Sequence, residues 1–344
     1  MWIMTVVLYE LFATYNTTAI IPPITLCNLS TDAYLAPAYW NQTHMNQLPN
    51  LSAIYTPLFV TRKFPVVDLS ETASASVISA RMFQPLMDHG QRIALHNLLS
   101  KFSKLMFQNG LGNRFFLNGP TLVGSLRHHD MIPWEVGIHV FVDIGIQDTL
   151  RELIDGLGSL YRFVHGTYRD RVYTHSRSLS STELEEESGH AIELTNSDSE
   201  TLTSLLCLEI SYYAVGFKVV SRISPNINDR LAWPFEVIFP LYLRPFGTQW
   251  LPTPRDSWAF LTLDGYNLSQ CSPNTYWRKH LLLDLDPGIP CTGLSTLYPF
   301  VPLPRNRVVT GKGCCEMHIT NEPLMRRSRL GERYVWHTIC VAVP

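Results

Sequence analysis

Charge is scarce in this chain and evenly split. Only 16% of its 344 residues are Asp, Glu, Lys or Arg, with 27 basic against 29 acidic side chains. No segment carries a basic stripe, which argues against nucleic acid as a partner. Long apolar runs are also lacking. The N-terminal MWIMTVVLYELFATY is interrupted by Glu10 and preceded by no Lys or Arg. It falls short of the roughly 20 apolar residues of a membrane helix and of the charged start of a signal peptide. Two readings stay open for it, the remnant of a signal anchor or a buried N-terminal element. Walker, dinucleotide and G-x-S-x-G fingerprints do not occur, nor do internal repeats. Cys314, Cys315 and His318 lie together in CCEMH, but no second cluster completes a four-ligand zinc set.

What is present is a composition able to fold: 46% hydrophobic and 11% aromatic residues, with 23 prolines that stiffen connections. Seven cysteines leave at least one unpaired within the chain. Five N-x-S/T sequons stand at Asn16, Asn28, Asn41, Asn50 and Asn267, four of them within the first 52 residues. That clustering favours a secretory-pathway chain in the ER or Golgi lumen, membrane-anchored or secreted. Disulfides are then permitted, with Cys271 and Cys291 the first pair to test; free buried thiols in a cytosolic protein are the competing reading.

Residues 1–86 read as a loop-rich, glycosylated stem. From Met87 to Gln108, Ile93, His96, Leu98, Leu99, Phe102, Leu105 and Met106 recur at helical spacing, with Lys101 and Lys104 on the wet side. The glycines of NGLGN end that helix. RFFLNG then reads as a strand, PTLVGSL as a helix, IHVFVDI as a strand and TLRELIDGLGSLY as a helix. This alternation predicts an α/β layer. An acidic, serine-rich insertion at about 176–200 has no apolar face. Strand-like sequence resumes with TSLLCLEISYYAVGFKVVSRI, and the Pro- and Gly-punctuated remainder suggests loops draped over the sheet.

GPTLVGSLRHHDMIPWEVGIHVFVD resembles the signature of the LicD/fukutin family, roughly G-T-L-L-G-x-x-R-H-x-x-x-I-P-W-D-x-D-x-D. WPF, FPLYLRPFGTQWLPTPRD and CTGLSTLYPFV resemble later blocks of the same family. The resemblance implies a LicD-like domain over residues 87–344 with a nucleotidyltransferase-like fold, a mixed sheet flanked by helices. It also implies transfer of a phospho-linked group, such as phosphocholine or ribitol phosphate, from a CDP-activated donor to a glycan acceptor. A divalent cation, Mg²⁺ or Mn²⁺, would neutralise the pyrophosphate of such a donor.

The chain departs from that pattern where the cation would bind. On a strand, residues i, i+2 and i+4 share a face, so D-x-D-x-D gathers three acids over one site. The matching positions hold Glu135, Gly137 and His139. Glu135 with His139 makes at most a half-site suited to Mn²⁺ or Zn²⁺. Asp143 lies about 13 Å farther along an extended strand, too far to serve the same ion. The resemblance assigns the donor phosphates to Gly124, Ser125, Arg127 and His128. Three of them have a structural alternative: helix–strand packing for the glycine and serine, a salt bridge for Arg127. His129 looks incidental, Pro133 and Trp134 look structural, and Arg244 and Arg255 read as loop ties. WPF runs directly into EVIFP, as though a strand and loop were missing, and Glu236 is the candidate left for a further acidic ligand. The combined expectation is a divergent LicD-type transferase with impaired catalysis. The alternative is a non-catalytic relative that binds a glycan, a nucleotide or an active paralogue.

Overall fold

The computed structural model describes residues 31–54, 83–85, 87–158, 161–174, 206–225, 231–273, 288–302, 318–327 and 332–344. The N-terminal apolar run, Asn16, Asn28, the serine-rich insertion, Cys314 and Cys315 lie outside the described residues.

Helix α1 spans His89–Gln108 and opens on a capping box, in which Asp88 Oδ1 accepts from the Gln91 N–H while the Gln91 side chain accepts from the Asp88 N–H. It ends at Asn109, and Gly110 follows at φ 73°, a conformation glycine adopts without strain. The buried stripe is Leu95, Leu98, Leu99, Phe102 and Met106, with Arg92 at its head. Ile93, expected on that stripe, is exposed. Arg92 takes the inward place because its guanidinium reaches the carbonyls of Met131 and Ile132.

Strand β1 (Phe115–Leu117), helix α2 (Gly119–His128), strand β2 (Ile138–Asp143) and helix α3 (Gln147–Asp155) follow in the order the sequence predicts. Strands β3 (Tyr161–Val164), β4 (Arg169–Thr174), β5 (Cys207–Val215), β6 (Val219–Arg222) and β7 (Ala232–Pro234) complete a seven-stranded sheet, ordered β1-β2-β5-β4-β3 with β6 on β5 and β7 on β6. β2 and β5 run parallel and the other pairs antiparallel, so the sheet is mixed.

Register decides which side chains meet. His139 faces Glu209 across β2 and β5, and Arg171 faces the same Glu209 across β4 and β5. His139, Glu209, Arg169 and Arg171 therefore share one face of the sheet. The opposite face packs on α1 through Phe102 and Phe115, and on α3 through the Arg151–Asp170 ion pair.

The C-terminal third is more regular than its prolines suggested. A helical turn α4 (Phe235–Ile238) leads to hairpin β8 (Tyr242–Phe246) and β9 (Gln249–Thr253), then helix α5 (Ser257–Leu263). Phe260 of α5 stacks on Phe116, Phe141 and Trp233, covering one half of the His139 face and leaving the β4 half open. Two-residue strands β10 (Gln270–Cys271) and β11 (Ile289–Pro290) pair beside the Cys271–Cys291 disulfide, the pair the sequence put first. A long hairpin, β12 (His318–Arg327) and β13 (Arg333–Val343), closes the described fold. Cys207 is a free, buried thiol.

Residues 31–54 pack into the same core. Tyr34, Met45, Leu48 and Leu51 are buried, the Tyr34 hydroxyl donates to the Cys340 carbonyl, and Leu35 bridges Tyr242. That part of the stem is thus tied to the sheet domain.

Candidate functional site

α2 begins where β1 ends, and its first turn touches the start of β2. Asn118 donates its backbone N–H to the His139 carbonyl, and the His139 N–H donates to Thr121 Oγ1 at 2.8 Å. Pro120 lacks an N–H, and the Thr121 N–H is taken by the Asn118 carbonyl. The helix start therefore offers fewer free amide donors to a phosphate than an open helix N-terminus would. Among the described residues the buried Asn118 side-chain oxygen has no hydrogen-bond partner.

The row of alternating ligands is not a continuous strand. β2 begins at Ile138, and Gly137 just before it adopts φ 82°, where a side chain would be strained. The chain turns at the position of the second acid, so Glu135 does not extend the His139 strand face as simple alternation predicts. Glu135 is buried in that turn, and its Oε1 accepts from the Val136 N–H.

At His139 the open face of the sheet carries a compact charged group. Glu209 Oε1 accepts from Arg169 Nη1 at 3.3 Å, while Oε2 accepts from Arg171 Nε and Nη2, both at 3.3 Å. His139 Nδ1 lies 3.8 Å from Oε1. Burial raises the Glu209 pKa, but the neighbouring His139 imidazole and the charges of Arg169 and Arg171 outweigh it and bring the group down to about 2. Glu209 is 15% exposed, against 59% for Arg169 and 47% for Arg171, so the carboxylate sits below two solvent-facing guanidiniums. Sequence reasoning missed all three. The signal was a lone acid in the otherwise uncharged CLEISYYAV and the alternating R-D-R of β4. Joining them required the parallel register of β2 and β5, whose strands lie far apart in the chain.

The residues assigned to donor phosphates turn inward. Gly124 lies inside α2, where an added Cβ would come within 2.4 Å of the Asp130 carbonyl oxygen; its smallness serves helix-to-loop packing. Ser125 Oγ donates to the Pro245 carbonyl at 2.8 Å and is fully buried. Arg127 donates from Nη2 to the carbonyls of Asn267, Leu268 and Gln270, holding the segment next to the disulfide, and burial lowers its pKa to about 10. His128 bonds the Pro299 carbonyl through Nδ1 and packs on Trp134 and Phe300; burial pushes its pKa down to about 3. The glycine and serine thus serve packing, as their alternative had it, whereas Arg127 ties backbone carbonyls in place of a salt bridge and His128 is held by the Pro299 carbonyl.

Glu236 lies on α4, exposed, beyond the β7 segment that pairs with β6. β6 in turn pairs with the Val215 end of β5. From there Glu209 is six residues back along the strand, about 20 Å at the usual rise. Glu236 therefore does not join the His139–Glu209 group. Asp143 is likewise apart, bonded to Arg114 at 3.0 Å and capping Gly145.

A second polar cluster was not anticipated. His129, in the left-handed conformation at φ 54°, places Nδ1 3.0 Å from His337 Nε2 and Nε2 3.3 Å from Glu322 Oε2. Arg244 forks onto both Glu322 oxygens, so its tie is to hairpin β12–β13. Asp130 next door pairs with His96 and Arg92. His129 is far from incidental, since it helps dock the hairpin.

The donor set around Glu209 does not fit a divalent cation. Mg²⁺ requires a shell of hard oxygen ligands. Here a single carboxylate already spends both oxygens on two guanidiniums, and a cation would sit against their fixed positive charge.

Residues 112–256 match the family model described as LicD/FKTN/FKRP, nucleotidyltransferase domain. This segment is a LicD-family domain. Membership makes it a relative of glycan-modifying transferases in general, and the matched span contains both the mixed sheet and the charged group on its open face. No curated protein matches the chain.

Proposed function

We propose that this LicD-family chain works in glycan or glycoprotein modification, takes a CDP-activated phospho-linked donor, and is impaired in the metal-dependent transfer of that group. The supporting observation is the replacement at the cation position. Gly137 turns the chain where the second acid is expected, and Glu209 is engaged by Arg169, Arg171 and His139. Among the described residues no clustered carboxylates stand ready to hold a cation onto which the charge of a leaving nucleotide could spread. A place in the ER or Golgi lumen is supported by the disulfide and by the exposed sequon asparagines Asn41, Asn50 and Asn267. A glycan acceptor and an active paralogue are the partners this reading implies.

The test is release of CMP from CDP-ribitol or CDP-choline by the purified full chain, with a glycan acceptor and Mg²⁺ or Mn²⁺. The expected result is slow release, just above a protein-free control and little raised by added metal. Robust metal-dependent release that disappears in Glu135→Ala overturns the reading and restores an active transferase. The second reading, a purely non-catalytic binding relative, is favoured by the inward-turned Ser125 and Arg127. It predicts binding of CDP or glycan with no turnover under any metal.

A further inference from the structure

We infer that Arg169 and Arg171, with His139, form a metal-independent binding site for the phosphate of an anionic ligand, and that Glu209 occupies it as a built-in surrogate anion. This rests on the ligand-handling reading above and names the chemistry of its site.

The argument begins with strand geometry. Residues 169 and 171 project from the same face of β4, with backbones about 6–7 Å apart. Their guanidiniums nevertheless converge on one target, each taking a different Glu209 oxygen. A site that satisfies two anionic oxygens from two directions is shaped for a carboxylate or a phosphate, because planar guanidinium forks match both. The guanidiniums are not exhausted by Glu209. Among the described residues, Arg169 donates from Nη1 and Arg171 from Nε and Nη2, which leaves Arg169 Nε and Nη2 and Arg171 Nη1 unbonded. Both side chains are about half exposed, so those donors are reachable by a solute.

Charge on this face favours an anion. Arg162 belongs to the same face of β3, stacked over the Tyr173 ring with its guanidinium 4.6 Å from the centroid. Two guanidiniums and the His139 imidazole therefore flank a single carboxylate, with a third guanidinium on the same face. The first turn of α2 adjoins His139 through the Thr121 and Asn118 bonds, adding the positive end of a helix dipole. In a metal-dependent nucleotidyltransferase the phosphate's counter-charge is a divalent ion. Here fixed guanidiniums stand beside the remaining acid and supply it.

The shared chemistry is a phosphate-bearing anion, which a nucleoside diphosphate or a phosphorylated sugar could each provide. Binding of inorganic pyrophosphate, CDP and mannose 6-phosphate to the full chain is measured by calorimetry in EDTA at low ionic strength. Pyrophosphate is expected to bind without metal. Arg171→Gln and Arg169→Gln should each weaken it about tenfold, the scale of one lost charge-assisted hydrogen bond. Arg171→Lys should fall between, and Glu209→Gln, which removes the competing anion, should tighten binding. Thermal unfolding and circular dichroism of each variant separate loss of binding from loss of fold, since exposed arginines can be changed without opening the core.

Absence of pyrophosphate binding in EDTA, or binding that ignores both arginine substitutions, overturns the site. CDP that binds only with Mg²⁺ and regardless of Arg169 and Arg171 sinks this inference while leaving the donor reading intact. Mannose 6-phosphate that binds through the arginines while CDP does not supports the site and refutes the CDP donor.

Discussion

His128 and His129 are adjacent, both buried, and both held toward the neutral form by desolvation. The sign of their effect on stability follows directly. The unfolded chain takes up protons near the ordinary histidine pKa of about 6.5, whereas folded His128 resists them down to about 3. The stabilising difference is complete above about pH 6.5 and is lost as pH falls below it. Glu322 and Asp130 have depressed pKa values and add their loss only in the acid range where free carboxylates protonate. Between roughly pH 6.5 and 4.5 the decline therefore reports buried histidines, at up to about 1.4 kcal/mol per pH unit for each. Urea midpoints measured across that window should show the slope. His128→Phe should lower stability at pH 7.5, by losing the Pro299 hydrogen bond, yet remove about one histidine's share of the slope. An unchanged slope would show that His128 is already charged in the folded chain.

At the level of elements, α2 is clamped from both sides by residues the family motif supplies. Gly124 lets the Asp130–Ile132 backbone lie against the helix, and Arg127 holds the 267–270 carbonyls. Gly124→Ala gains up to about 1 kcal/mol of helix propensity. It also drives a methyl into a carbonyl oxygen that belongs to backbone and cannot swing aside, a strain of about 1–3 kcal/mol. The net effect should be a lowered urea midpoint with an unchanged m-value; a stabilised variant would show that the loop yields. The elements themselves were legible. Helical spacing from Leu95 to Met106 and the β-branched and aromatic run of IHVFVDI were decided by local periodicity, which packing then reinforced. What misled was proline. Pro245 and Pro252 suggested loops, yet each sits in the two-stranded hairpin β8–β9, where few ladder bonds are required of it.

The whole molecule shows why the site was only half legible. The spacing of Glu135, Gly137 and His139 correctly flagged the start of β2, but treating it as a straight strand missed the turn at Gly137. Glu209, Arg169 and Arg171 reach His139 only through a three-strand register, which no local window contains. Long-range pairing also governs the hairpin β12–β13, docked by Glu322 between Arg244 and His129. Glu322→Ala should destabilise the fold by about 3–5 kcal/mol, because the Arg244 guanidinium would remain buried without its anion. Arg244→Met combined with Glu322→Leu should recover much of that loss. Thermal melts of the single and double variants decide it, and a mild single variant would show that the hairpin is held by its apolar contacts instead.

That docking also orders events during synthesis. Glu322 leaves the ribosome 78 residues after Arg244, so the earlier-made sheet waits with its counter-charge missing until the hairpin arrives. A message interrupted between codons 256 and 322 would release a nascent chain carrying all of its matched family segment and still lacking the partner that lets Arg244 be buried.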